Sequence, residues 1–183
     1  MVRIPLPDDQ IQFRCPLQIP TVEMLPHIMH AKTVNGDNHI AAAENAVSQK
    51  PHKHDTIVPN VIFTSPEVGT VGLSEDDPKK QGRAVKTGKF RFAGLGKALA
   101  VGETAGLVKW IADAATGQML GAAAVGPHAT ELISEATTAI RADLTVRELG
   151  RTIHAHPTFS EAWMETAHAV LGEAIHAPPK RKA

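Results

Sequence analysis

The chain has 183 residues, with 19 Lys+Arg against 19 Asp+Glu, so its formal charge is zero. That balance excludes nucleic-acid or membrane binding driven by net charge, and a single cysteine, Cys15, excludes an intramolecular disulfide framework. No apolar run reaches the roughly 18 residues of a membrane helix, and Met1–Gln10 lacks the apolar core of a secretory signal, so a cytoplasmic protein is expected.

Met1–Thr21 carries Pro5, Pro7, Pro16 and Pro20 without a sustained period and reads as irregular; Val22 to about Gln49 is helical in parts. Gln49–Pro59 is a polar, proline-bounded linker. Asn60–Thr64 and Val68–Leu73 read as strands on either side of a Ser65-Pro66 break. Ser74 caps a polar helix over Asp76–Gln81, which Gly82 ends. Ala84–Phe92 alternates as a strand, with Phe90 and Phe92 on one face. Gly106–Ala112 and Met119–Val125 form a hairpin turned at Thr116-Gly117. Ala129–Ala142 is an amphipathic helix with Leu132, Ile133, Ala136, Ala139 and Ile140 on its apolar face. Thr145, with Glu148 three residues on, opens a helix over Val146–Ile153, and Thr158 or Ser160 caps a last one to about Leu171. Strands first and helices after predict an α+β fold, an antiparallel sheet with helices packed on one face.

The stretch richest in chemistry is His154-Ala155-His156-Pro157-Thr158-Phe159-Ser160-Glu161. Pro157 forces His156 out of helical geometry, and Glu161 follows in the first turn of the next helix. An imidazole beside a carboxylate on a rigid corner is the minimal acid–base unit: the carboxylate fixes the tautomer while the free nitrogen moves a proton. The alternative is that Glu161 only favours the helix N-terminus and His156 is an ordinary surface or core histidine.

Residues from about Val58 to Ala177 resemble the dimerisation (interface) domain of the pyridine nucleotide-disulfide oxidoreductases, the dihydrolipoamide dehydrogenases above all. The matching pieces stand in family order: Pro59-Asn60-Val61-Ile62-Phe63-Thr64-Ser65-Pro66-Glu67-Val68, Val71-Gly72-Leu73, Gly106-Leu107-Val108-Lys109, Gly117-Gln118-Met119-Leu120-Gly121, Val125-Gly126-Pro127 with Glu131-Leu132-Ile133, and His154–Glu161. The resemblance implies that His156 is the acid–base for a dithiol/disulfide on a partner subunit, that Glu161 orients it, that the His156-Pro157 bond is cis, and that the domain pairs two-fold with its copy. Mercuric reductases typically carry tyrosine at His156 and a C-terminal cysteine pair, whereas this sequence ends Ala177–Ala183. Glutathione reductases usually have a second acidic residue where Ala162 stands.

Full-length members use FAD and NAD, through a Gly-x-Gly-x-x-Gly loop and a Cys-x4-Cys pair that this sequence lacks. Gly94-Leu95-Gly96-Lys97-Ala98-Leu99 lacks the third glycine and reads as a loop. Met24-Leu25-Pro26-His27 resembles the family's flavin-side segment, but Pro26 replaces an alanine and no Gly-Asp precedes it, leaving His27 as the one cofactor-side candidate. The expected organisation is a remnant of the FAD-domain tail with linker over 1–57, the dimerisation domain over 58–177 and a basic tail over 178–183, with no cofactor bound by this chain alone. His27-x-x-His30 and the His52, His54, Asp55 group lack a third ligand at a recognised spacing, so no metal is expected. Two functions compete: the acid–base part of a dihydrolipoamide dehydrogenase-like flavoenzyme, incomplete alone, and a non-enzymatic homodimerisation module. Either is expected to pair with itself or with a chain that supplies the nucleotide-binding domains.

Overall fold

The structure, a computed structural model, describes residues 44–47, 57–80 and 82–176. Five strands form one antiparallel sheet: β1 (Asn60–Ile62), β2 (Val68–Gly72), β3 (Val85–Arg91), β4 (Leu107–Asp113) and β5 (Met119–Val125), in the order β1-β2-β5-β4-β3. The helices are α1 (Asp76–Lys80), α2 (Gly96–Val101), α3 (Ala129–Arg141), α4 (Val146–Arg151) and α5 (Glu161–Leu171). No helix among the described residues is long and apolar enough to cross a membrane.

The period-2 pattern decides which residues meet the helices. Strand pairing aligns Gly69 and Val71, Ala122 and Ala124, Val108, Trp110 and Ala112, and Gly88 and Phe90 on one face. All of these are buried. Glycine at two of these positions lets the helices settle onto the sheet. A Cβ at Gly69 would stand 2.6 Å from the Ala129 carbonyl oxygen of α3, and one at Gly88 would stand 2.4 Å from the Thr166 carbonyl oxygen of α5. The two indoles then lock the layers together: Trp110 Nε1 donates to the Trp163 carbonyl at 3.2 Å, and Trp163 Nε1 donates to the Leu132 carbonyl of α3 at 3.0 Å. On the opposite face the connection after β2 crosses the sheet, where Glu75 pairs with Lys109 at 2.8 Å.

The hairpin between β4 and β5 turns where the sequence places it. Asp113 Oδ1 accepts from the Ala115 and Thr116 N–H groups, and Gly117 supplies φ +76. Thr145 and Glu148 form the expected reciprocal capping box at the start of α4. Three expectations need correction. Gly94–Leu99 is no loop: after a 3₁₀ turn over Phe92–Gly94 the chain forms α2, closed by Leu99 N–H on the Leu95 carbonyl at 3.1 Å. Helix α4 stops at Arg151 rather than Ile153, because Thr152 turns extended. Neither hydroxyl caps α5: Ser160 makes no side-chain cap bond, and Thr158 Oγ1 donates to the Ala155 carbonyl instead.

Candidate active site

The site is the corner between α4 and α5. Its floor is fixed by the core: Phe159 is buried edge-on against Phe92, with ring centroids 5.3 Å apart, and Trp163 holds the first turn of α5 against α3. On this base the His156-Pro157 bond is cis, as expected. His156 Nδ1 lies 2.8 Å from Glu161 Oε1, and the second carboxylate oxygen, Oε2, accepts the Thr158 N–H at 2.8 Å. Glu161 therefore grips the ring and the backbone beneath it with one carboxylate. The two side chains that the sequence singles out are brought together.

Their exposures differ widely. The Glu161 side chain is 15% exposed and that of His156 is 75% exposed. Burial opposes the Glu161 charge, but the Thr158 N–H, the His156 hydrogen bond and the positive charges of His156 and His154 outweigh it, holding the carboxyl below its ordinary value. An ionised carboxylate only accepts, so the proton in this bond sits on Nδ1. No hydrogen bond joins Nε2 to a described residue, and the His156 side chain is mostly exposed. The Gly96 end of α2 borders the ring: a Cβ there would stand 4.0 Å from His156 Cε1.

Two arrangements lay outside the sequence reading. His154 Nε2 lies 2.7 Å from Glu135 Oε1 of α3, and its Nδ1 lies 3.0 Å from the Thr152 carbonyl. The Glu135 hydrogen bond, helped by the charges of Glu135 and Glu161, raises the His154 imidazole above its ordinary value despite burial. Glu165, 1% exposed, accepts from the Ile175 and His176 N–H groups and lies 2.7 Å from His176 Nδ1. His176 is thus tethered to α5 rather than a loose tail residue. A carboxylate set at the border of an apolar helix face was the available signal for both.

His27, His30, His52, His54, Asp55 and Cys15 lie outside the described residues. Among the described residues no group of three or more His, Cys, Asp or Glu could hold a metal. The Gly94–Leu99 run does not form a dinucleotide-binding loop. The Gly94–Leu99 run, which carries two of the glycines such a loop needs, is spent on a 3₁₀ turn packed on Phe90 and on a six-residue helix.

This sheet with its helices, and the cis His-Pro corner gripped by a glutamate, agree with the dimerisation domain of the disulfide-reductase type that the sequence resembles. The profile of the pyridine nucleotide-disulphide oxidoreductase dimerisation domain matches residues 58–167, and the chain belongs to that family. Its relatives include the dihydrolipoyl dehydrogenase of Bacillus subtilis, 50% identical over 138 residues (75% of this chain, 29% of the relative), and that of Chlamydia muridarum, 47% identical over 143 residues (78% and 31%). The chain spans less than a third of the length of these curated relatives. The solved structure of LpdA from Mycobacterium tuberculosis superposes with a TM-score of 0.61 at 26% identity, covering 69% of this chain and 28% of that one. The HOCl-induced flavoprotein disulfide reductase RclA from Escherichia coli shares the fold, with a TM-score of 0.64 at 23% identity over 72% of this chain and 31% of that one. Residues 58–167 are therefore a pyridine nucleotide-disulphide oxidoreductase dimerisation domain, similar to that part of the dihydrolipoyl dehydrogenases.

Proposed function

We propose that His156 is the acid–base of a dithiol/disulfide exchange and that Glu161 is the residue that fixes its tautomer. The observation that carries this reading is the 2.8 Å contact between His156 Nδ1 and Glu161 Oε1, made by a largely covered carboxylate to a mostly exposed ring. A thiol facing the ring gives its proton to Nε2, leaving a thiolate. The thiolate attacks a disulfide sulfur, a new S–S bond forms as the old one breaks, and the leaving sulfur departs as thiolate. That thiolate recovers its proton from the imidazolium, so the imidazole returns to its starting state.

The described residues contain no cysteine, so the reacting sulfurs come from elsewhere, and the family resemblance puts them on a partner subunit. Exposed apolar side chains beside the site favour such pairing: Ile153 is 95% exposed next to His154, and Leu99 on α2 is 62% exposed. Dihydrolipoamide, the substrate class in the relatives' name, is the dithiol we assign, with FAD and NAD bound by domains outside the described residues. The tautomer gives the test. Imidazole ¹⁵N shifts of the full chain are expected to place the neutral His156 proton on Nδ1 and to lose that preference in Glu161→Gln. A proton on Nε2 in the unaltered chain would end the reading.

A further inference from the structure

His154 shares its motif with His156 but, unlike it, is sequestered, with a side chain only 6% exposed. Both its nitrogens are engaged. The Thr152 carbonyl oxygen, 3.0 Å from Nδ1, can only accept, so Nδ1 carries a proton. Glu135 Oε1, a carboxylate oxygen 2.7 Å from Nε2, is the second acceptor, so Nε2 carries the second proton. A ring held between two acceptors is an imidazolium.

We propose that His154 is a positioning residue: a sequestered imidazolium, clamped by Glu135 and the Thr152 carbonyl, that supplies a standing positive charge to Glu161 and keeps its carboxylate committed to His156 Nδ1 and the Thr158 N–H. The proposal rests on reading His156 and Glu161 as the acid–base pair. In that reading the charge of His156 comes and goes with each proton transfer. When His156 is neutral, a largely buried Glu161 loses its counter-charge just when it must hold the tautomer. His154 does not take part in the transfer and keeps its charge throughout. The charged side chains acting on it are Glu135 from α3 and Glu161 from α5. The loop between the two histidines is braced, with Thr158 Oγ1 donating to the Ala155 carbonyl at 2.7 Å and lying 2.9 Å from Ser160 Oγ, so the rings hold their relative places.

The test is a set of imidazole ¹⁵N and carboxyl ¹³C spectra of the full chain. At pH 7.5, where a histidine with the ordinary value of about 6.5 is mostly neutral, His154 is expected to show protonated shifts on both nitrogens. In Glu135→Gln, His154 is expected to lose one proton, the Glu161 titration to move upward, and the Nδ1–H fraction of neutral His156 to fall; Glu135→Asp is expected to retain both His154 protons. A singly protonated His154 in the unaltered chain overturns the proposal without any variant having to fold. So does a Glu135→Gln chain in which His154 is neutral while Glu161 and His156 titrate as before, and in that case the acid–base pair itself survives. A wild-type His156 protonated on Nε2 removes the pair and the proposal together.

Discussion

Gly88→Ala tests whether α5, which carries Glu161, is seated on β3 by the absence of a side chain. The added Cβ would lie 2.4 Å from the Thr166 carbonyl oxygen, 2.7 Å from the Val170 nitrogen and 2.7 Å from Val170 Cγ2. Two of these three atoms belong to the helix backbone, so no rotamer change relieves the clash. The helix must withdraw by about 0.6 Å merely to reach the closest separation that Cβ atoms show. It has little room to do so, because the two indole hydrogen bonds tie Trp163 to β4 on one side and to α3 on the other. Overpacking costs about 1–3 kcal/mol, and with α5 held this way we expect about 3 kcal/mol. At roughly 4 °C per kcal/mol for a domain of this size, Tm falls by about 12 °C. Calorimetry of the full chain at fixed concentration reads this directly, with Lys86→Ala, an exposed neighbour on β3, as the control expected within about 0.5 kcal/mol of wild type. A Gly88→Ala chain melting within about 4 °C of wild type would refute the seating argument.

Other outcomes follow from the same geometry. Thr145→Ala removes one half of the capping box and is expected to cost about 1 kcal/mol in denaturant unfolding, with the slope unchanged. The His154–Glu135 pair raises the imidazole in the folded state, so its stabilisation is fully present below the unfolded value near 6.5 and is lost as pH rises through the raised folded value; the stability gap between wild type and Glu135→Gln should narrow as pH rises through that window. Asp113 behaves in the opposite sense. The Thr116 N–H, the Arg83 guanidinium at 2.6 Å and the Thr116 hydroxyl hold its carboxyl far below the ordinary range, so its contribution is present above about pH 4 and fades as pH falls. Asp113→Asn should therefore flatten the acid limb of the stability curve measured by calorimetry.

How much of this was readable in the sequence depended on how local the cause was. The β4–β5 hairpin is announced by an Asp-to-Gly turn between two apolar runs, and α4 by a threonine and a glutamate three residues apart; both are settled within a few residues. His156 and Glu161 are five residues apart on either side of a proline, so their meeting was also legible. Helix α2 was not, because Gly94 and Gly96 read as breakers, while the burial of Ala98 and Leu95 that rewards the helix comes from the tertiary fold. Ser160 stands at the N-cap of α5 as expected, but the side-chain capping bond was misread. A serine or threonine before a helix ordinarily caps it, but here the Thr158 hydroxyl donates to the Ala155 carbonyl. His154 and Glu135 stand 19 residues apart on different helices' borders, and only the packing of α3 beside the α4–α5 corner joins them.

The central claim, that this domain brings a working proton carrier to a dithiol, is tested most directly by exchange. Residues 58–176 would replace the matching part of the Bacillus subtilis dihydrolipoyl dehydrogenase, to which the chain is 50% identical over 138 residues. Turnover with dihydrolipoamide would then be compared between this hybrid and its His156→Gln form. We expect the hybrid to turn over and His156→Gln to lose about 10²-fold or more, the share that a positioned acid–base group contributes, with flavin content and subunit pairing unchanged. An active hybrid whose turnover is indifferent to His156→Gln would contradict the claim.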